Sequence, residues 1–211
     1  MVPATRALVR GERVFLRAPR AADAAELTRL NRASVRLHRR LVSVPRRRAQ
    51  FTSYLRVCRE PDYVGLLVCR LADGTIVGAI NFFDLERGIA QAACVGYYVG
   101  APFAGQGYMT EALSLALQYA FRRLGLHRVE ADIEPDNGES IRLVRRAGFR
   151  REGLSRRYLK LRGRWRDHVR WAILAEEWRE RAAARSSRAR PGSRPAARTR
   201  RRRAGRDRSG A

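Results

Sequence analysis

The residues with chemical potential lie in two stretches between Val95 and Phe149. In the first, a strand-like segment Val95–Val99 leads into Ala104-Gly105-Gln106-Gly107-Tyr108-Met109, which opens directly onto a helix from Thr110. Two glycines let the backbone take positive φ and approach a ligand closely. Free amides at a helix N-terminus, aided by its dipole, suit phosphate groups. The same Gly-x-Gly spacing also makes an ordinary tight turn. No third glycine follows at the dinucleotide-binding offset and no Gly-Lys-Ser/Thr follows, so neither of those phosphate motifs is present. In the second stretch, Glu134-Pro135-Asp136-Asn137-Gly138-Glu139-Ser140 precedes a short helix closed by Gly148-Phe149. Asn137 and Ser140 are both favoured helix N-caps, so capping alone accounts for either. Glu130, Asp132 and Glu134 share one strand face and are either bases or solvated carboxylates. Arg145-Arg146, Arg150-Arg151 and Arg156-Arg157 form a basic cluster that either steers an anion or is a solvated face.

Strands and helices alternate around these stretches. Arg13–Ala18 is a short strand, and Ala21–Ala33 has helical spacing in Ala24, Leu27 and Leu30. Phe51–Arg59 is a second helix. Tyr63–Leu71 and Ile76–Phe83 are strands joined at Asp73-Gly74, a strong hairpin signal. Ala92–Val99 is a fourth strand. Thr110–Leu124 carries the apolar stripe Leu113, Leu117, Phe121, Leu124 and ends at Gly125. His127–Ile133 is a strand with Val129, Ala131 and Ile133 on one face, Ser140–Ala147 a helix, and Arg157–Leu161 with Asp167–Leu174 two late strands around Gly163. Strands first, then a strand–helix–strand–helix crossover, then a hairpin, make an α+β mixed sheet.

The whole pattern resembles the GNAT acetyltransferases, and within them the RimJ-type N-terminal alanine acetyltransferases of ribosomal proteins. The resemblance rests on Val14-Phe15-Leu16-Arg17-Ala18-Pro19 with Asp23, on Gly96-Tyr97-Tyr98-Val99 followed by Gly105–Ala112, on Asn137–Ser140 through Gly148-Phe149, and on Gly163–His168 ahead of Trp171 and Trp178. It covers residues 13–178 with order and spacing intact. It implies a mostly antiparallel central sheet flanked by helices, whose splayed strands form an acetyl-CoA cleft. Backbone groups of Tyr97, Tyr98 and Val99 would pair with the pantetheine arm, and amides of Ala104, Gly105, Gln106, Gly107, Tyr108 and Met109 would hold the pyrophosphate. Asn137 would contact the pantetheine or a water at the thioester, and Ser140 would protonate the departing sulfur. Glu130 is the catalytic carboxylate of choice, and Trp165 and Asp167 would line the acceptor entrance unless they serve packing and turns. Two positions depart from the pattern. Ala104 stands where an Arg or Gln commonly contacts phosphate, and Val144 where many members carry a general-acid Tyr. No strong base stands out. An α-amine (pKa ~7.7–8.0) is roughly a tenth neutral at pH 7, whereas a lysine amine (~10.4) is almost wholly charged. The missing base therefore favours an N-terminal amine as acceptor. No metal is implied.

Composition bounds the rest. The 211 residues carry a net charge of +25 with 45% hydrophobic content, enough for one compact domain with an appendage. The basic residues are arginine except for Lys160, a bias that a GC-rich coding sequence also produces. From Arg179 to Ala211, thirteen arginines against Glu180 and Asp207 give a net of +11 in low-complexity sequence. That segment is expected to be a disordered basic tail, with residues 1–178 as the catalytic domain. The tail offers weak contact to RNA or ribosomes, or no specific partner. No apolar run approaches the ~20 residues of a membrane span, and Met1–Gly11 lacks a signal-peptide core. Cys58, Cys69 and Cys94 have no metal-ligand spacing and suit a reducing cytoplasm. Two alternatives stand beside protein N-terminal acetylation. One is transfer to a small amine such as a polyamine, disfavoured by the basic surface. The other is an RNA- or ribosome-binding protein with a decayed transferase site.

Overall fold

The computed structural model describes residues 7–38, 43–161 and 163–189. Eight strands form one sheet: β1 (Val9–Arg10), β2 (Val14–Arg17), β3 (Val64–Arg70), β4 (Ile76–Glu86), β5 (Ala92–Val99), β6 (Arg128–Ile133), β7 (Arg150–Leu161) and β8 (Arg164–Leu174). Their order is β1-β2-β3-β4-β5-β6-β8-β7. Every pairing is antiparallel except β5 with β6, which runs only from Ala92–Arg128 to Cys94–Glu130. The α+β mixed sheet expected from the sequence is what forms.

Six helices cover the two faces: α1 (Ala24–Ala33), α2 (Val35–His38), α3 (Arg48–Val57), α4 (Tyr108–Arg122), α5 (Gly138–Ala147) and α6 (Ala175–Ala189). The stripe Leu113, Ala116, Leu117 and Phe121 seats α4 on one face, together with Leu143 and Val144 of α5 and Trp178 of α6. Leu27 and Leu30 of α1 and Phe51 of α3 cover the other. β3 shows why both layers are needed. Leu66 and Val68 enter the first core and Leu67 and Cys69 the second, all at 0% exposure, so the strand is apolar without alternation.

Several elements differ from expectation. β7 starts at Arg150 instead of Arg157, and β8 at Arg164 instead of Asp167. β7 is the sheet's edge and is mostly exposed, so its Arg-rich sequence carries no alternating signal. The first helix begins as a 3₁₀ turn at Ala21–Asp23, because Asp23 turns inward to accept both Arg17 guanidinium nitrogens at 2.7 and 2.8 Å. Helix α6 runs through the boundary expected at Arg179 and on to Ala189. Ala, Glu and Arg are strong helix formers, and Trp178 anchors the segment by packing on Phe121 at 5.6 Å. Residues 190–211, with the run Arg200–Arg203, lie outside the described residues. Among the described residues no helix is long and apolar enough to cross a membrane.

Candidate active site

The site grows from the place where β5 and β6 part. Beyond Cys94, β5 stays paired to β4 on one side, while its other edge from Val95 to Val99 has no strand beside it among the described residues. Tyr97 and Tyr98 point to opposite sides of this edge. Tyr98 is buried among α1 and α3 residues, with its hydroxyl 3.4 Å from Asn31 Nδ2. Tyr97 points toward α5, where its hydroxyl donates to the Ser140 carbonyl at 3.4 Å. Burial pushes the Tyr97 phenol up to about 12, so it stays protonated. The Val99 carbonyl already accepts from His38 Nε2 at 2.7 Å. Of the three residues expected to pair with an extended ligand, Tyr97 therefore keeps its backbone groups on the open edge, while those of Tyr98 face Ala79 and Gly78 of β4, which corrects the pairing expected for Tyr98.

The chain then turns through a 3₁₀ segment, Ala101–Phe103, into the glycine loop. Gly105 (φ +74°) and Gly107 (φ +82°) are both left-handed, and Gly107 is the N-cap of α4. Only glycine takes these angles without strain. The backbone amides of Gly105, Gln106, Gly107 and Tyr108 make no hydrogen bond to the described residues. They form, with the helix dipole, an anion-binding turn. The turn is held from behind by Arg13, which no local sequence pattern singles out. Its guanidinium donates to the Gln106 carbonyl at 3.0 Å and lies 4.3 Å from the Tyr108 ring centroid. Glu111 Oε1 accepts the amides of Arg13 and Val14 at 2.9 and 3.3 Å, tying β2 to the first turn of α4. Ala104 is exposed, but its amide donates to the Ala101 carbonyl at 3.3 Å, which removes it from the expected phosphate-binding amides; Met109 is partly buried beside Gly78.

Across the opening, Asn137 caps α5: its Oδ1 accepts the Ser140 amide at 3.2 Å. That settles which residue caps. The Ser140 hydroxyl makes no hydrogen bond to the described residues and is left for other work. Val144, where a tyrosine is common, is fully buried in the core. Tyr97 brings a phenol to the same helix end from β5 instead.

The carboxylates of β6 sort themselves by their partners. Glu130 lies between Arg128 (2.6 Å) and Arg170 (2.9 Å). Burial raises its carboxyl, but the two guanidinium groups outweigh this and hold it below the ordinary range. Such a carboxylate is a poor proton acceptor, which corrects the choice of Glu130 as the catalytic carboxylate. Asp132, one pleat further toward the opening, is nearly buried and lies 2.7 Å from Arg170 Nε and 3.8 Å from Cys94 Sγ. Burial outweighs Arg170 here and raises its carboxyl. Asp167 accepts the Arg157 amide at 2.7 Å, bracing the irregular pairing between Ser155 and Leu159 where Arg157 has φ +47°. It is a bulge-bracing residue, and the acceptor role expected for it has no support in its contacts. Trp165 is 60% exposed beside Lys160 near the hairpin end, where no contact links it to Asn137, Ser140 or Asp132.

Residues 13–150 match the family model described as an acetyltransferase (GNAT) domain. The probable N-acetyltransferase YjcK of Bacillus subtilis (strain 168) is 36% identical over 132 residues, 63% of this chain and 73% of that protein. The [ribosomal protein uS5]-alanine N-acetyltransferase of Escherichia coli (strain K12) is 40% identical over 103 residues, 49% of this chain; the match spans 53% of that protein. Among solved structures, Mycobacterium smegmatis RimJ in complex with CoA-disulfide superposes with a TM-score of 0.73 at 31% identity, over 82% of this chain and 89% of that one.

Proposed function

The chain belongs to the GNAT acetyltransferase family, and on that premise we propose that it moves the acetyl group of acetyl-CoA to the N-terminal amine of a protein, a ribosomal protein's N-terminal alanine above all. The observation that carries the donor is the open β5 edge running into a left-handed glycine turn with unspent amides. An extended arm ending in pyrophosphate needs that sequence of backbone groups. The acceptor rests on the uS5-alanine and RimJ relatives and on the weak carboxylate available as base. Such an acceptor implies the cytoplasm, and the Arg-rich tail would add salt-sensitive attraction to ribosomal RNA.

Acetyl-CoA supplies a thioester whose carbonyl carbon takes the amine and whose sulfur leaves. Tyr97 aligns the arm along β5, and the amides of Gly105–Tyr108 fix its phosphates. Asp132 receives the proton of the attacking amine, directly or through one water, as the N–C bond forms. Arg170 beside it disfavours the charged form of an approaching amine, so the neutral nucleophile is selected. Ser140 gives its hydroxyl proton to sulfur as the C–S bond breaks and regains one from solvent, while Tyr97 braces that helix end. Asn137 holds Ser140 in place through the cap. Positioning of amine and thioester supplies most of the rate.

The test incubates the chain and acetyl-CoA with two acceptors, a peptide carrying the N-terminus of ribosomal protein uS5 and spermidine. Mass spectrometry should find +42 Da, roughly one acetyl group, on the peptide's α-amine. Acetylated spermidine beside untouched peptide would reverse the acceptor assignment.

A further inference from the structure

A row of residues crosses the sheet on the face opposite α5. In β6, Val129, Ala131 and Ile133 enter the core under α4 and α5, so Asp132 emerges on the other face, where Cys94 Sγ lies 3.8 Å from its Oδ2. Gly96 follows Cys94 by two residues and shares that face, and Asn81 is its direct partner across β4 and β5. Helices α1 and α3 cover Leu67, Ala79 and Tyr98 here, but their cover ends one step along the strands. Gly65 is buried beneath Tyr54, whereas Asn81 and Gly96 are only half-buried. A Cβ at Gly65 would stand 2.7 Å from the Tyr54 hydroxyl, so glycine there lets Tyr54 reach across β3 and donate to Asn81 Oδ1 at 2.8 Å. That bond occupies the amide oxygen and directs Nδ2, which has no hydrogen bond to the described residues, away from α3. Unlike Gly105 and Gly107, Gly96 has no positive φ, and among the described residues a Cβ there would meet only the ring edge of Phe83, at 3.2 Å. Neither backbone conformation nor backbone crowding demands this glycine. In a strand interior it marks a place where another chain approaches closely.

We propose that Asn81 and Gly96 seat the first residue of the acceptor: Asn81 Nδ2 donates to its carbonyl, and its side chain rests over Gly96. The inference rests on the protein-acceptor reading above and deepens it by naming what recognises the N-terminal residue. Tyr97 and the Ser140 end of α5 face the gap from one side of the sheet, so the acceptor comes from the other side, where Asp132 stands. Asn81 lies two strands from Asp132, roughly 10 Å away at ~4.8 Å per strand. That span fits one amino acid with a hydrogen bond of ~3 Å at each end, because a residue's amine nitrogen and carbonyl oxygen are only about 3 Å apart. An amine on Asp132 thereby presents its own carbonyl to Asn81, with its Cα above Gly96. The recess left by the missing Cβ admits a methyl group and crowds larger side chains. A polyamine or a lysine side chain has no carbonyl beside its amine, so the same amide favours an N-terminus over either.

Steady-state kinetics on the full chain, with saturating acetyl-CoA and the uS5 N-terminal peptide as acceptor, test this directly. Asn81→Leu and Asn81→Ala should each raise KM for the peptide about tenfold, as expected for one lost hydrogen bond. Their kcat should stay within about threefold and their acetyl-CoA affinity, by calorimetry, within about twofold. Gly96→Ala gives a second readout, taken on the same peptide with alanine or glycine as its first residue. The added methyl should cost the alanine peptide about tenfold in kcat/KM relative to the glycine peptide. A purely structural change would lower both alike. Unchanged KM in both Asn81 variants, or an equal loss on the two peptides in Gly96→Ala, overturns this seat and leaves the transferase assignment standing. A loss of acetyl-CoA affinity as large as the rise in KM does the same. Acetylation of neither peptide by the unaltered chain overturns the acceptor assignment and this inference with it.

Discussion

Replacing Gly107 by alanine separates what the glycine turn does for the fold from what it does for the ligand. At φ +82° an L-residue is strained by ~1–2 kcal/mol. Stiffening the unfolded chain returns ~0.4–1 kcal/mol, so the net loss is about 1 kcal/mol. That corresponds to a fall in Tm of ~2–4 °C for a domain of this size. The added Cβ meets only Arg13 Nη1, at 3.6 Å, so nothing in the fold collides with it. Gly125 is a matched control: φ is +70°, nothing lies within 4 Å, and it follows the far end of α4. Gly107→Ala and Gly125→Ala should therefore lose the same stability by differential scanning fluorimetry. Only Gly107→Ala should lose acetyl-CoA affinity, by about tenfold or more, because its methyl and any relaxation of φ displace the amides that face phosphate. If calorimetry finds the two variants within twofold of one another, the turn does not bind the donor and the site has been drawn in the wrong place.

Ser140→Ala should lower kcat about tenfold or more and leave acetyl-CoA affinity and Tm nearly unchanged, since the cap belongs to Asn137; a loss confined to stability would return Ser140 to a structural role. For Asp132, whose raised carboxyl must be ionised to accept a proton, kcat should fall as pH drops through a value above the ordinary carboxylate range of ~3.9. Asp132→Asn should cut kcat by ~10²-fold and remove that acid limb, and a variant that keeps both would eliminate it as the base. Asp23→Ala leaves the buried Arg17 guanidinium unpaired and should cost ~3–5 kcal/mol in urea unfolding, whereas removing the exposed Asp73 partner of Arg70 should leave the unfolding midpoint nearly unchanged.

Elements with strong periodicity were legible before any coordinates. The α4 stripe and the alternation in β6 appear where their patterns put them because each buries one face against a single layer, and the Asp73-Gly74 turn appears because the positive φ of Gly74 is a local demand. β7 was shortened because an edge strand of exposed arginines has nothing to alternate. The helix past Arg179 is not legible, because arginine-rich composition looks the same in a helix and in a tail until Trp178 finds Phe121. The site divides along the same line. The glycine turn could be found from its own spacing, since positive φ is a local demand. Sequence alone cannot rank Glu130 above Asp132, because the two carboxylates of β6 are equivalent there. Only the folded positions of Arg128 and Arg170, one a neighbour in sequence and the other across a strand pair, tell them apart. Arg13 lies more than ninety positions from the loop it braces (Arg13 to Gln106), and no local pattern reports such a contact.

The short parallel pairing of β5 and β6 gives the protein a built-in reporter. At the centre of the sheet, Val95–Val99 and Ala131–Ile133 each present one edge to the gap between β5 and β6. Amides on those edges have only solvent to protect them, so they exchange hydrogen for deuterium early while the surrounding ladder, opened only by larger unfolding, exchanges late. An extended ligand lying in the gap would supply the missing neighbour. Occupancy of the cleft can thus be followed peptide by peptide as a slowing confined to the seam, without any acceptor, label or turnover.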